Sequence, residues 1–107
     1  MMKVYFISGL AADFGIFRHI RLPPDYQQLP LDWISPYKNE TLANYAKRLA
    51  AGIDDSAPFM LVGLSLGGMI ATEIAKIHRP QKLILISSVP TSAHLPWYFR
   101  LAGLTVG

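Results

Sequence analysis

The chain has 107 residues, about half of them hydrophobic and only a sixth charged, which suits one domain with a real core and excludes a disordered polar chain. It has no cysteine, so disulfides and thiolate metal sites are excluded, and a cytoplasmic location is expected. The net charge of +3 is unevenly placed: six basic and six acidic residues cancel up to Leu64, after which Lys76, Arg79, Lys82 and Arg100 face Glu73 alone.

No basic run is interleaved with aromatics, so no nucleic-acid partner is expected. His19, His78 and His94 stand singly, without metal-ligand spacing, and neither a metal nor a cofactor is expected. The best apolar run, 59–71, is short and glycine-rich, whereas a membrane span needs about 20 residues. The opening "MMKVYFISGLAAD" imitates a signal peptide, with Lys3 before the apolar stretch and Ala11-Ala12 after it. The β-prone Val4 to Ile7 and the early Ser8-Gly9 break favour a strand instead.

In chain order, "KVYFIS" (3–8) reads as a buried strand ending at Gly9. "ADFGIFRHI" follows as a short helix that Asp13 could cap, with His19 on its surface. Pro23-Pro24 make a turn, and "QQLPLDWI" (27–34) is a weaker strand that Pro30 assigns to a sheet edge. Leu42, Tyr45, Ala46, Leu49 and Ile53 recur at helical steps, predicting a helix over 41–53 with Thr41 or Asn39 as its N-cap. "FMLVGL" (59–64) is a strand apolar on both faces, 66–77 is a helix halted before Pro80, and "KLILIS" (82–87) is a second doubly apolar strand. "WYFRLAGL" (97–104) starts one more helix.

Alternating strands and helices with doubly apolar strands predict an α/β fold: a three-layer αβα sandwich on a parallel sheet of about four strands. With the proline-bearing strand at an edge, the expected spatial order is second, first, third, fourth. Its switch point lies between the first and third strands, where ligands sit beyond the carboxyl ends. The loops "SGLAAD" and "GLSLGG" flank that crevice.

Gly63-Leu64-Ser65-Leu66-Gly67 fits G-x-S-x-G between a strand and a helix. A serine exposed at the tip of a sheet needs a very sharp turn, in which bulky neighbours two residues away would collide with it. Gly63 and Gly67 remove those side chains, and Gly68 lets the helix press on the sheet. The first amides of the helix point at the site, as a developing oxyanion requires. Phosphate binding is disfavoured, because neither a Lys-Ser/Thr pair nor the G-x-G-x-x-G spacing is present.

On the elbow "GLSLGG" and the earlier "FISGLAAD", the chain resembles the N-terminal, nucleophile-bearing half of an α/β-hydrolase over essentially all 107 residues. The resemblance implies one incomplete hydrolase domain over 1–107, with 89–107 as the start of a lid-like segment. It implies Ser65 as nucleophile, with the backbone N–H groups of Leu66 and Leu10 as oxyanion hole. Ser8 stands where the family has a histidine, which leaves a hole built of backbone intact. The implied activity is that of a serine esterase acting on a small apolar ester or related acyl compound.

The partners of a triad are missing. Glu73, the sole acid after Ser65, is about 12 Å along the helix, and His78 about 20 Å, at 1.5 Å per residue. His78 reads as a polar end-cap. His94 is the remaining candidate base, since a loop after the fourth strand emerges on the serine's side; the same place is where hydrolases insert a lid, and both readings stand. No acid can be assigned. A fragment, half of a two-chain enzyme, or a non-catalytic binding module retaining the fold would each account for this. Leu10, Phe14, Trp33, Met69 and Trp97 are candidates to line an apolar pocket, each equally able to serve as core or lid. The apolar strand 82–87 would be an unpaired edge, inviting a homodimer or a missing C-terminal half.

Overall fold

The structure, a computed structural model, describes residues 1–8, 20–64 and 66–86, and the backbone of 104–105. Its elements are β1 (Met2–Ile7), β2 (Tyr26–Pro30), β3 (Glu40–Thr41), α1 (Leu42–Leu49) with a 3₁₀ turn (Ala50–Gly52), β4 (Phe59–Leu64), α2 (Leu66–Ile77), β5 (Lys82–Ile86) and β6 (Leu104–Thr105). β1, β2, β4 and β5 form one all-parallel sheet in the order β2-β1-β4-β5, as the position of Pro30 predicted. The fold is therefore α/β.

Handedness explains where the helices sit. The steps from β2 to β4 and from β4 to β5 run in the same direction across the sheet, so right-handed crossovers put α1 and α2 on one face. There Tyr45, Ala46, Leu49, Leu66, Ile70 and Ile74 close over Tyr5, Ile7, Phe59 and Leu61. Fully buried side chains such as Ile70 and Ile74 each contribute about 1.5–3 kcal/mol. The step from β1 to β2 runs the other way and belongs on the opposite face. Ile20 and Leu22 pack there on Val4, Phe6 and Val62, consistent with a third layer. The short helix expected after Asp13, with His19, lies outside the described residues.

Some boundaries differ from expectation. The second strand spans Tyr26–Pro30 instead of 27–34. Past Pro30, Leu31 still bonds to the sheet, donating to the Phe6 carbonyl at 2.9 Å, and residues 33–35 turn toward α1. The helix expected over 41–53 tightens into the 3₁₀ turn after Leu49 and ends with the Ile53 N–H on the Ala50 carbonyl, a common way for a helix to finish. Thr41 is its N-cap, accepting from the Asn44 N–H at 3.1 Å. Asn39 instead takes a positive φ of 58° in the preceding turn.

As expected, β5 is an apolar edge strand: among the described residues it pairs with β4 alone, and Ile84 is 41 % and Leu85 49 % exposed. Most of the C-terminal helix expected over 97–104 lies outside the described residues; Leu104, with Thr105, pairs parallel to Glu40–Thr41 as a short strand. Among the described residues no helix is long and apolar enough to cross a membrane.

Candidate active site

β4 ends at Leu64 and α2 begins at Leu66, so one residue, Ser65, joins strand to helix. Ser65 itself, like Leu10, Phe14, His94 and Trp97, lies outside the described residues. The surroundings are well defined. Ile7 of β1 stands beside Gly63 of β4 at the carboxyl end of the sheet. Crossovers leave these two strands toward opposite faces, so the corner after Leu64 lies at the switch point.

The glycines make this corner compact. A Cβ on Gly63 would stand 2.5 Å from Gly68 Cα, 2.7 Å from the Gly67 oxygen and 2.7 Å from the Gly68 nitrogen. A Cβ on Gly67 would run into the carbonyl oxygens of Ser8 and Ile7 and stand 2.9 Å from the Ile7 carbonyl carbon. One on Gly68 would meet Leu85 Cδ2 at 3.2 Å. The first turn of α2 thus lies backbone against backbone on the strand before it and on the end of β1, and reaches β5 through Gly68. The required absence of side chains has a more specific cause than room for a serine: Gly63 and Gly67 are where main chains touch. Leu66, fully buried, is the first residue of α2. Its amide belongs to the first-turn N–H groups that have no acceptor within the helix and carry the positive end of its dipole.

Trp33 does not simply line a pocket. Its indole N–H donates to the Ser8 carbonyl at 3.1 Å, and its ring lies 5.7 Å from that of Tyr45. Tyr45 Oη donates to the Ile34 carbonyl at 2.7 Å and accepts from the Ile34 N–H at 3.0 Å. Met69 is half-buried against the main core.

A network that the sequence reading missed lies at the start of α1. Glu40 is buried and accepts from Arg48 Nε at 2.7 Å and Nη2 at 2.6 Å, from Asn44 Nδ2 at 2.5 Å and from the Tyr37 N–H at 2.9 Å. Arg48 also donates to the Ser35 carbonyl at 3.0 Å and lies 3.7 Å over the Tyr37 ring. The Arg48 hydrogen bonds, helped by those from Tyr37 and Asn44, hold the Glu40 carboxyl at about 2, against 4.5 ordinarily, although burial opposes them. So bound, Glu40 is a structural anion and a poor candidate for orienting a catalytic base. The spacing Glu40, Asn44, Arg48 in steps of four was the readable signal.

Asp54, Asp55, Glu73 and the described histidine, His78, are engaged elsewhere. His78 Nδ1 lies 2.6 Å from Asp55 Oδ2. This pair sits past the far end of α2, about 18 Å from Leu66 at 1.5 Å per residue, on the side from which β4 enters the sheet. Its N–H donates to the Ile74 carbonyl, in keeping with an end-capping place. Glu73 is paired with Lys76 at 2.6 Å. Asp54 bonds Lys3 at 2.8 Å and the Ser56 N–H and hydroxyl; these bonds, Lys3 foremost, hold its carboxyl well below the usual range. Among the described residues, no histidine–carboxylate pair stands at the corner and no cluster of three histidines or carboxylates could hold a metal. The chain matches no protein-family model, no curated protein and no solved structure.

Proposed function

We propose that the protein is a serine hydrolase of the α/β-hydrolase type, acting on a carboxylic ester or related acyl compound through Ser65. The observation that carries this reading is the backbone contact of Gly63 and Gly67 with α2 and the end of β1, around a corner one residue long at the switch point. With sheet and helix brought that close, one residue joins them, and in the sequence that residue is a serine.

In this reading the Ser65 hydroxyl oxygen attacks the acyl carbonyl carbon while its proton passes to a base. The carbonyl electron pair moves onto oxygen and is held by the Leu66 and Leu10 amides. Expulsion of the alcohol leaves an acyl-enzyme that water then cleaves. His94 is the candidate base; the orienting acid has no candidate. Turnover of simple esters by this chain is accordingly expected to be slow. A reducing, cytoplasmic setting belongs to the same reading and fits the absence of cysteine.

A fluorophosphonate probe tests the proposal. The expected result is one covalent label on the folded protein, abolished in Ser65→Ala. Folded protein that takes no label, or a label that survives in Ser65→Ala, would reduce the chain to a binding scaffold.

A further inference from the structure

We infer that Trp33 is a positioning residue for the Ser65 site, tethering the point where the chain leaves β1 against the first turn of α2. The inference rests on the hydrolase reading above. Its basis is one oxygen. The Ser8 carbonyl accepts the Trp33 indole N–H at 3.1 Å, and the same oxygen lies directly against Gly67. Ser8 is buried, and it stands two residues before Leu10, the assigned second oxyanion amide. A shift of this carbonyl would therefore be felt both at the end of β1, two residues before Leu10 in the sequence, and at the first turn of α2, which begins at Leu66.

Trp33 is itself held firmly. The residue after it, Ile34, has both backbone groups bonded to Tyr45 Oη, and the next carbonyl, that of Ser35, accepts from Arg48. Tyr45 is fully buried in α1, and Arg48 is fixed by Glu40. Ile34 and Ser35 are thus gripped from α1, and the tryptophan just before them bonds the Ser8 carbonyl at the end of β1. The sequence separation between Trp33 and Ser8 is 25 residues, so the tether ties the edge-strand side of the sheet to its switch point.

Saturation kinetics of fluorophosphonate inactivation test the inference. Trp33→Phe keeps an aromatic ring but has no N–H. Its kinact is expected to fall about five- to tenfold, the rate equivalent of one hydrogen bond, with KI unchanged. A merely structural tryptophan would lower the melting temperature and leave kinact, measured well below melting, as in the wild type. Tyr45→Phe, which keeps the ring and releases Ile34, should lower kinact in the same direction by less, and serves alone if Trp33→Phe does not fold. Wild-type kinact in a folded Trp33→Phe, or in Tyr45→Phe where that is the variant available, overturns the tether while Ser65 labelling leaves the hydrolase reading intact. A wild-type protein that takes no label, or labelling retained in Ser65→Ala, overturns both.

Discussion

Replacing Gly63 by alanine puts the glycine packing to a direct test. The added Cβ would lie 2.5 Å from Gly68 Cα and 2.7 Å from two further backbone atoms of α2. Carbon atoms rest at about 3.5–4.0 Å, so α2 must retreat from β4 by about 1 Å, and no side-chain rotation can relieve the contact. Overpacking costs about 1–3 kcal/mol, and a clash with main chain belongs at the upper end. At about 4 °C per kcal/mol for a domain of this size, the melting temperature should drop by about 12 °C. Gly67→Ala should cost as much, since its Cβ would strike the Ser8 and Ile7 carbonyls. Gly68→Ala meets the flexible end of Leu85 at 3.2 Å and Gly52→Ala the end of Leu31 at 3.0 Å. Both neighbours can give way, and these two variants should lose about 1 kcal/mol or less, helped by the helical preference of alanine. Urea unfolding followed by circular dichroism reads the series. Stability of Gly63→Ala equal to that of Gly52→Ala would falsify the claim that main chains meet at this corner.

Two other predictions concern charge and the sheet edge. The Glu40 carboxyl is held at about 2, chiefly by Arg48, and returns to 4.5 on unfolding, so between these values the unfolded chain binds more protons and stability falls as pH falls. Glu40→Gln should be less stable than wild type at neutral pH, with a margin that shrinks as pH drops from 4.5 toward 2; a margin unchanged down to about pH 2.5 contradicts the linkage. β5 exposes Ile84 and Leu85 on an outer strand, and self-association through it is expected at high concentration, relieved in Ile84→Lys. Light scattering that finds the wild type strictly monomeric rules this out.

The sheet was legible because its determinants are local. "FMLVGL" is apolar without interruption and is buried on both faces; Pro30 cannot serve a central ladder, and its strand lies at the edge. "KLILIS" has the composition of a central strand, but the strand order expected from Pro30 already put it last, and it lies at the edge with Ile84 and Leu85 exposed. The misreading lies at the second strand. Leu31 to Ile34 continue the apolar character of the second strand, yet Pro30 breaks the ladder and more distant groups, Tyr45 Oη and the Ser8 carbonyl, claim them.

At the candidate site, what the sequence made legible is its glycine packing. Three glycines within six residues of a strand-to-helix junction announce close approach, and main chains do meet there. What glycine cannot announce is the partner. Gly67 meets Ser8, nearly 60 residues earlier, and nothing in "GLSLGG" points there. Only the strand order, with β1 beside β4, brings them together. The same holds for Trp33, whose indole reads as one more apolar side chain until its N–H is seen on that carbonyl. Polar groups buried beside a corner must find partners, because an unpaired one costs about 1–3 kcal/mol. The corner therefore recruits donors from wherever the fold brings them. A backbone oxygen shared by a strand end, a helix turn and a tryptophan is not a property of any one of those segments. It arises when the sheet closes, and it links the first turn of α2 to the residues that α1 holds around Trp33.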